Sequence, residues 1–175
     1  MPAYPLESMK KHSPDHDSAI LAREAKENSD FSIETMELVL SAMVIPWNRS
    51  RRNVIPEGED AVKGMLLGAY TYANEAGIAA LTKKHQAEVE FLCGVMGHYD
   101  STFEHTSIQI NLDYAARPHT DRNNEGLSYI IAVGNYVSGE LWVEIEDGQE
   151  EYQIPKDGQI LVIDPMNEFQ VYLSI

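Results

Sequence analysis

Residues 107–126 read SIQINLDYAARPHTDRNNEG, and they set the expectation for the rest of the chain. In their first part, apolar and polar residues alternate: Ile108, Ile110 and Leu112 with Gln109, Asn111 and Asp113. Successive side chains of a strand point to opposite faces, so one face is expected to pack and the other to carry hydrogen-bonding groups. Such a polar face suits either a ligand pocket or a sheet face in solvent.

The same stretch holds a histidine and an aspartate two residues apart, His119 and Asp121. In extended backbone, residues i and i+2 point to the same side, so both side chains can converge on one ion. An imidazole and a carboxylate, completed by a second histidine and with open positions left, form the ligand set of non-haem Fe(II) oxygenases. The spacing therefore makes His119 and Asp121 candidate metal ligands, although an isolated H-x-D is a weak signal.

Beyond Tyr99, short alternating segments separated by turn residues replace helical spacing. Several of the breaks are glycine dipeptides such as Asp147-Gly148 and Asp157-Gly158. This even spacing of short segments is typical of a sandwich or small barrel. The predicted strands are 105–114, 127–134, 139–146, 150–154, 158–164 and 169–175.

The preceding part of the chain favours helices. A first helix is predicted at 18–28, which is rich in good helix formers. A second is predicted at 31–45, where apolar residues recur at helical spacing, with Ser32 as its cap and Pro46 as its end. A strand is predicted at 64–72 and a helix at 81–96, capped by Thr82 and stopped by Gly97, in which Cys93 is expected to be a small buried residue. The resulting organisation is a flexible tail at 1–17, helices and a linker at 18–56, and a β domain at 57–175.

Composition excludes several classes of protein. The 175 residues carry 13 Lys and Arg against 28 Asp and Glu, a formal charge of -15, which makes bulk nucleic-acid binding unlikely. No apolar run has the length of a membrane span, and the N-terminus lacks a signal-peptide pattern, so the cytoplasm or nucleus is the default expectation. One cysteine cannot form an internal disulfide.

Four segments together resemble the 2-oxoglutarate and Fe(II)-dependent dioxygenase superfamily: SIQINLDY, PHTDRNNEG, SYIIAVGNY and GELWV. The resemblance covers residues 64 to about 164 and is most specific between 107 and 143. An Asn and a Tyr ahead of H-x-D also make the chain distantly similar to the AlkB-type and thymine-hydroxylase groups.

The resemblance implies an α+β fold, a double-stranded β-helix or jelly roll with the N-terminal helices packed on its sheet. His119 and Asp121 match the family's metal ligands, and Asn111 and Tyr114 approximate its co-substrate-contacting positions. The implied cofactors are Fe(II) and 2-oxoglutarate, and the implied function is hydroxylation of an unidentified small-molecule or macromolecular substrate.

The sequence departs from the family pattern after this motif. The family places a second histidine about 50 residues later, followed by a basic residue for 2-oxoglutarate, but the last histidine here is His119, and Lys156 is the sole basic residue after Arg122. The expected ligand position falls near residues 167–170, NEFQ. His98 and His105 are further candidates, although a structural role is more common for such histidines.

Three explanations stay open. The chain is cut short before its last strands, it is a catalytically inactive β-helix module acting in binding or assembly, or it is an enzyme whose third ligand is Glu168, Gln170 or a residue of another subunit. The sequence ends in the apolar segment FQVYLSI, residues 169–175. An exposed strand edge there would be able to pair with a second chain, so the sequence is also compatible with an oligomer.

Overall fold

The computed structural model is α+β, and its described part contains three α-helices and eleven strands, with every strand pair antiparallel. The structure describes residues 14–72, 75–117, 128–135, 140–145, 148–153, 161–163, 169–170 and 172–173. The chain divides into two compact units. One holds the residues up to Val44 together with Ala80–His105, and the other holds Ile45–Ala79 together with the residues from Thr106 onward.

The first unit is helical. Its helices are α1 (Pro14–Glu27), α2 (Ile33–Ala42) and α3 (Gln86–Tyr99), and α1 contacts both of the others. Ala22, Val39 and Phe91 are fully buried in its core. Phe31, just ahead of α2, stacks on Phe91 with ring centroids 6.1 Å apart, so the residue before α2 ties that helix to α3.

The start of α2 agrees with its prediction because the signal is local. The backbone N–H of Thr35 donates to the capping Ser32 Oγ at 3.3 Å. Asp30 Oδ1 accepts from the Ser32 hydroxyl at 2.7 Å, and its Oδ2 accepts from the Thr35 hydroxyl at 2.7 Å. These hydrogen bonds, first from Ser32 and then from Thr35, hold the pKa of the Asp30 carboxyl below its ordinary value.

Helix α3 differs from its prediction at both ends. It begins after His85 rather than at Thr82, and it continues through Gly97 to Tyr99. Its buried stripe is Glu88, Phe91, Leu92 and Val95. Cys93 lies about 100° around the helix from Leu92 and is exposed, so the predicted burial of Cys93 is wrong.

Strand β2 is the centre of the main sheet in the second unit. The four strands are β1 (Trp47–Asn48), β2 (Val62–Tyr72), β3 (Glu75–Ile78) and β4 (Ser107–Leu112). The first part of β2 pairs with β1 and β4, with Met65 opposite Ile110, and its end pairs with β3, with Ala69 opposite Ile78. Met65 and Ile110 are both buried, so this pairing forms part of the core.

Gly68 lies where β2 changes its partner from β4 to β3. Its φ of +91° belongs to the left-handed region that glycine tolerates best. A Cβ at this position would come 2.3 Å from the carbonyl oxygen of Thr106. Backbone conformation and lack of space therefore both require glycine here.

Seven further strands follow β4. They are β5 (Tyr114–Ala115), β6 (Ser128–Ile130), β7 (Glu140–Ile145), β8 (Gly148–Gln153), β9 (Leu161–Ile163), β10 (Phe169–Gln170) and β11 (Tyr172–Leu173). β5 pairs with β11, β6 with β9, and β7 with both β8 and β10. Each predicted strand region from residue 105 onward overlaps an observed strand, although β4 ends at Leu112 and β8 begins at Gly148, ahead of the predicted 150–154. The jelly roll itself, and the packing of the helices on its sheet, stay predictions.

None of the helices in the described ranges has both the length and the apolar character needed to cross a bilayer.

Candidate functional site

Asn111 is the candidate site residue whose surroundings the structure describes in most detail. It lies on β4 opposite Gly64 and is 8% exposed. Gln109 Nε2 donates to Asn111 Oδ1 at 3.0 Å and also to the carbonyl oxygen of Ile110. A Cβ on Gly64 would stand 3.1 Å from Asn111 Oδ1, so the glycine leaves room for the amide. The polar face of β4 is therefore covered at Asn111 rather than open to solvent.

Tyr114 follows Asn111 across a break in the strand. Asp113, between them, has φ +48°, in the left-handed region, and it ends β4. Tyr114 then begins β5 and pairs with Leu173 of β11. The two predicted co-substrate positions thus lie on successive strands rather than on one continuous strand.

The predicted metal ligands His119 and Asp121 lie outside the described residues. The backbone leading to them is anchored, because Arg117 N–H donates to the Val54 carbonyl oxygen at 3.0 Å. Ala116 is buried in a cluster with Val54, Ile55 and Val62. The described chain resumes in β6, which pairs with β9. Ordered strands therefore flank the H-x-D segment on both sides.

The expected position of the third ligand is described in part. Phe169 and Gln170 form β10, where Gln170 pairs with Trp142 of β7, while Asn167 and Glu168 lie outside the described residues. Within the described ranges, no group of three or more His, Cys, Asp or Glu side chains is arranged to hold a metal ion.

The two alternative histidines have neighbours of their own in the first unit. The ring of His98 lies 6.3 Å from that of Phe31 and 5.8 Å from that of Tyr99. His105 stacks on Phe103 and reaches Cys93. These contacts fit the structural role that is more common for such residues.

A buried polar cluster in the first unit has no counterpart in the sequence predictions. The Ser18 hydroxyl donates to Glu88 Oε1 at 2.6 Å, and His85 Nδ1 lies 3.3 Å from the same oxygen. All three residues are at most 1% exposed, and no described residue offers a hydrogen bond to Glu88 Oε2. Glu88 is the third residue after the N-cap of α3, which is the position of the acidic residue in a capping box. This spacing is the sequence signal that could have indicated a role for Glu88.

A comparison with protein-family models, curated proteins and solved structures found no match for the chain.

Proposed function

We propose that this chain is a 2-oxoglutarate and Fe(II)-dependent dioxygenase-like protein that hydroxylates an unidentified substrate. The proposal rests on the resemblance carried by residues 107–143 and on the strand pairing of the second unit. In it, His119 and Asp121 are metal ligands, and Asn111 and Tyr114 contact the co-substrate.

The nested strand pairing is the observation that carries the fold part of the proposal. β5 pairs with β11, β6 pairs with β9 inside them, and β7 pairs with β8 inside those. Strands far apart in sequence pair in this nested way when two Greek keys roll into a jelly roll. The additional pair between β10 and β7 links the end of the chain to the middle strands.

The surroundings of Asn111 support a binding role for the polar face of β4. A buried amide that already accepts a hydrogen bond from Gln109 is held in one orientation. A Cβ on the neighbouring Gly64 would come 3.1 Å from Asn111 Oδ1, so the glycine accommodates the amide in this position. A ligand that contacts Asn111 would therefore bind an amide whose orientation is already fixed.

The donor set fits Fe(II) in its chemistry. An imidazole and a carboxylate are the ligand types of non-haem iron sites, and His119 and Asp121 supply one of each. When bound together with 2-oxoglutarate, Fe(II) supplies the activation of oxygen for substrate hydroxylation. The third protein ligand is Glu168, Gln170 or a residue of another subunit.

The charge distribution limits the class of substrate. From Asn124 to Ile175 the chain has 10 acidic residues and one basic residue, Lys156. Such a local excess of negative charge repels polyanions. We therefore propose a small molecule or a protein, rather than a nucleic acid, as the substrate.

The proposal is tested by anaerobic Fe(II) titration with and without 2-oxoglutarate, followed by the visible absorbance of the chelate. Wild-type protein should develop the chelate band only when Fe(II) and 2-oxoglutarate are both present. His119→Ala should weaken metal binding by at least about tenfold. Loss of a residue that only orients a metal ligand already lowers metal affinity by about 10–100-fold. His12→Ala removes a histidine far from the motif in sequence and should leave the band unchanged.

The same titration distinguishes the second candidate function, a catalytically inactive β-helix module acting in binding or assembly. The absence of any histidine after His119 favours that candidate. If wild-type protein neither binds the metal nor gives the chelate band, the enzyme proposal is wrong and the module remains. If the band appears, its loss in Glu168→Ala or Gln170→Ala identifies the third ligand.

A further inference from the structure

Gln109 precedes Asn111 by two residues on β4, and the proposed function gives it no role of its own. Residues i and i+2 of a strand share a face, so the two amides lie side by side. Gln109 Nε2 is 3.0 Å from Asn111 Oδ1 and 3.0 Å from the carbonyl oxygen of Ile110. One side chain therefore connects a backbone carbonyl to the residue that we expect to contact the co-substrate.

The Ile110 carbonyl determines which way both amides are turned. A carbonyl oxygen can only accept, so the Gln109 atom beside it must be the NH₂ group. That NH₂ group also donates to Asn111, whose atom facing it must then be the acceptor Oδ1. The oxygen and nitrogen of an amide are similar in size, so this chain of hydrogen bonds, rather than packing, fixes Asn111 Nδ2 as the group that can donate to a ligand.

Gly64 of β2 leaves room for the whole arrangement. It lies opposite Asn111 in the pairing of β2 with β4. A Cβ on Gly64 would come 3.1 Å from Asn111 Oδ1 and 3.1 Å from the Ile110 carbonyl oxygen. It would also stand 3.4 Å from Gln109 Nε2. A side chain at position 64 would therefore crowd all three atoms of the hydrogen-bonded set, and the glycine lets them keep their geometry beneath β2.

We propose that Gln109 is a positioning residue that makes Asn111 a hydrogen-bond donor toward the co-substrate. The inference rests on the proposed function, in which Asn111 contacts 2-oxoglutarate. The carboxylate and keto oxygens of 2-oxoglutarate accept hydrogen bonds and cannot donate them, so they require a donor from Asn111. With the amide reversed, Asn111 would present its oxygen to those oxygens instead. Gln109 therefore favours a ligand rich in acceptors, and it acts through Asn111.

The test is a double-mutant cycle on the affinity for 2-oxoglutarate, measured without oxygen from the Fe(II) chelate band. Gln109→Met removes the donor but keeps the side chain long and uncharged. It should weaken 2-oxoglutarate binding by about twofold to tenfold, the usual effect of one neutral hydrogen bond. Asn111→Ala should weaken binding at least as much. In the Asn111→Ala background, Gln109→Met should have no further effect, because its partner is already gone.

The matched control is Gln86→Met, the same change at an exposed glutamine of α3 in the first unit. It should leave the affinity for 2-oxoglutarate unchanged. A second readout needs neither metal nor co-substrate: the heteronuclear NOE of the Asn111 side-chain NH₂ group by NMR. Gln109→Met should lower this NOE, because the amide loses the hydrogen bond that holds it, and Gln86→Met should not.

The outcomes separate this inference from the proposed function. Wild-type protein that gives no chelate band overturns the proposed function, and the inference falls with it. A wild-type band with unchanged affinity in Gln109→Met overturns the role of Gln109 alone. An effect of Gln109→Met that persists in the Asn111→Ala background does the same, since a purely structural role in β4 would give that result.

The NMR comparison covers the case in which Asn111→Ala does not fold, because it needs only wild type, Gln109→Met and the control. An Asn111 NH₂ group that is equally rigid in wild type and Gln109→Met would overturn the positioning role.

Discussion

Ser18 is a fully buried residue whose hydroxyl donates to the side chain of Glu88. Ser18→Ala removes the donor and leaves Glu88 with one hydrogen bond fewer in a site that excludes water. Loss of this buried hydrogen bond should lower the free energy of unfolding by about 1–3 kcal/mol. Urea unfolding measures this difference.

Ser41→Ala is the control for Ser18, since Ser41 is an exposed serine of α2. Surface changes of this kind usually alter stability by no more than about 0.5 kcal/mol. Equal effects of the two substitutions would contradict the role assigned to the buried pair.

Asp30 makes stability depend on pH through its hydrogen bonds to Ser32 and Thr35. Its pKa in the folded protein is depressed below 3.8, so its contribution is present above pH 3.8 and is lost as pH falls through the lower folded value. Asp30→Asn should lower the free energy of unfolding at pH 7 by less than about 1 kcal/mol, because the exposed carboxylate is screened by solvent. The difference from wild type should disappear in acid.

Urea unfolding at pH 7 and well below pH 3.8 checks the effect at Asp30. Glu57→Gln removes the same charge from a loop outside this set of hydrogen bonds. A difference between wild type and Asp30→Asn that persists unchanged in acid would contradict the assignment.

Two glycines of different elements should respond in opposite directions to the same substitution. Gly68→Ala in β2 places a methyl group 2.3 Å from the Thr106 carbonyl oxygen at a φ of +91°, and it should lower stability by about 1–3 kcal/mol or more. Gly97→Ala in α3 meets no atom within 4 Å and should raise stability by about 0.5–1 kcal/mol.

Thermal unfolding of the two glycine variants gives the comparison directly. Each serves as the control for the other, because both add the same methyl group. A loss of stability in Gly97→Ala equal to that in Gly68→Ala would contradict the structural distinction between them.

Elements whose signals are local were predictable from the sequence. Ser32 caps α2 through a hydrogen bond to Thr35, three residues away, and that pattern is visible in the sequence. The predicted cap of α3 at Thr82 is wrong, and the burial of His85 and Glu88 was not predictable, because it depends on Ser18, which is 70 residues from Glu88. The exposure of Cys93 was not predicted, because the spacing of apolar residues in α3 does not show which face of the helix is covered by other elements.

For the molecule as a whole, the α+β character and most strand regions followed from periodicity and turn residues. The candidate site was predictable only as a set of residue types. Alternation along β4 showed that Asn111 shares a face with Gln109, but its burial depends on β2, more than 40 residues earlier, which supplies Gly64. Long-range pairing of this kind leaves no local pattern in a single sequence.

The division of the chain into two interleaved units has a consequence for its synthesis. The first unit needs Ala80–His105 to complete it, and β2 of the second unit must wait for β4, which begins at Ser107. Neither unit can therefore close on the ribosome until the residues through His105, or through β4 in the case of the second unit, have emerged. Until then, helices α1 and α2 and strand β2 leave apolar surface exposed, and a ribosome-associated chaperone would bind such segments.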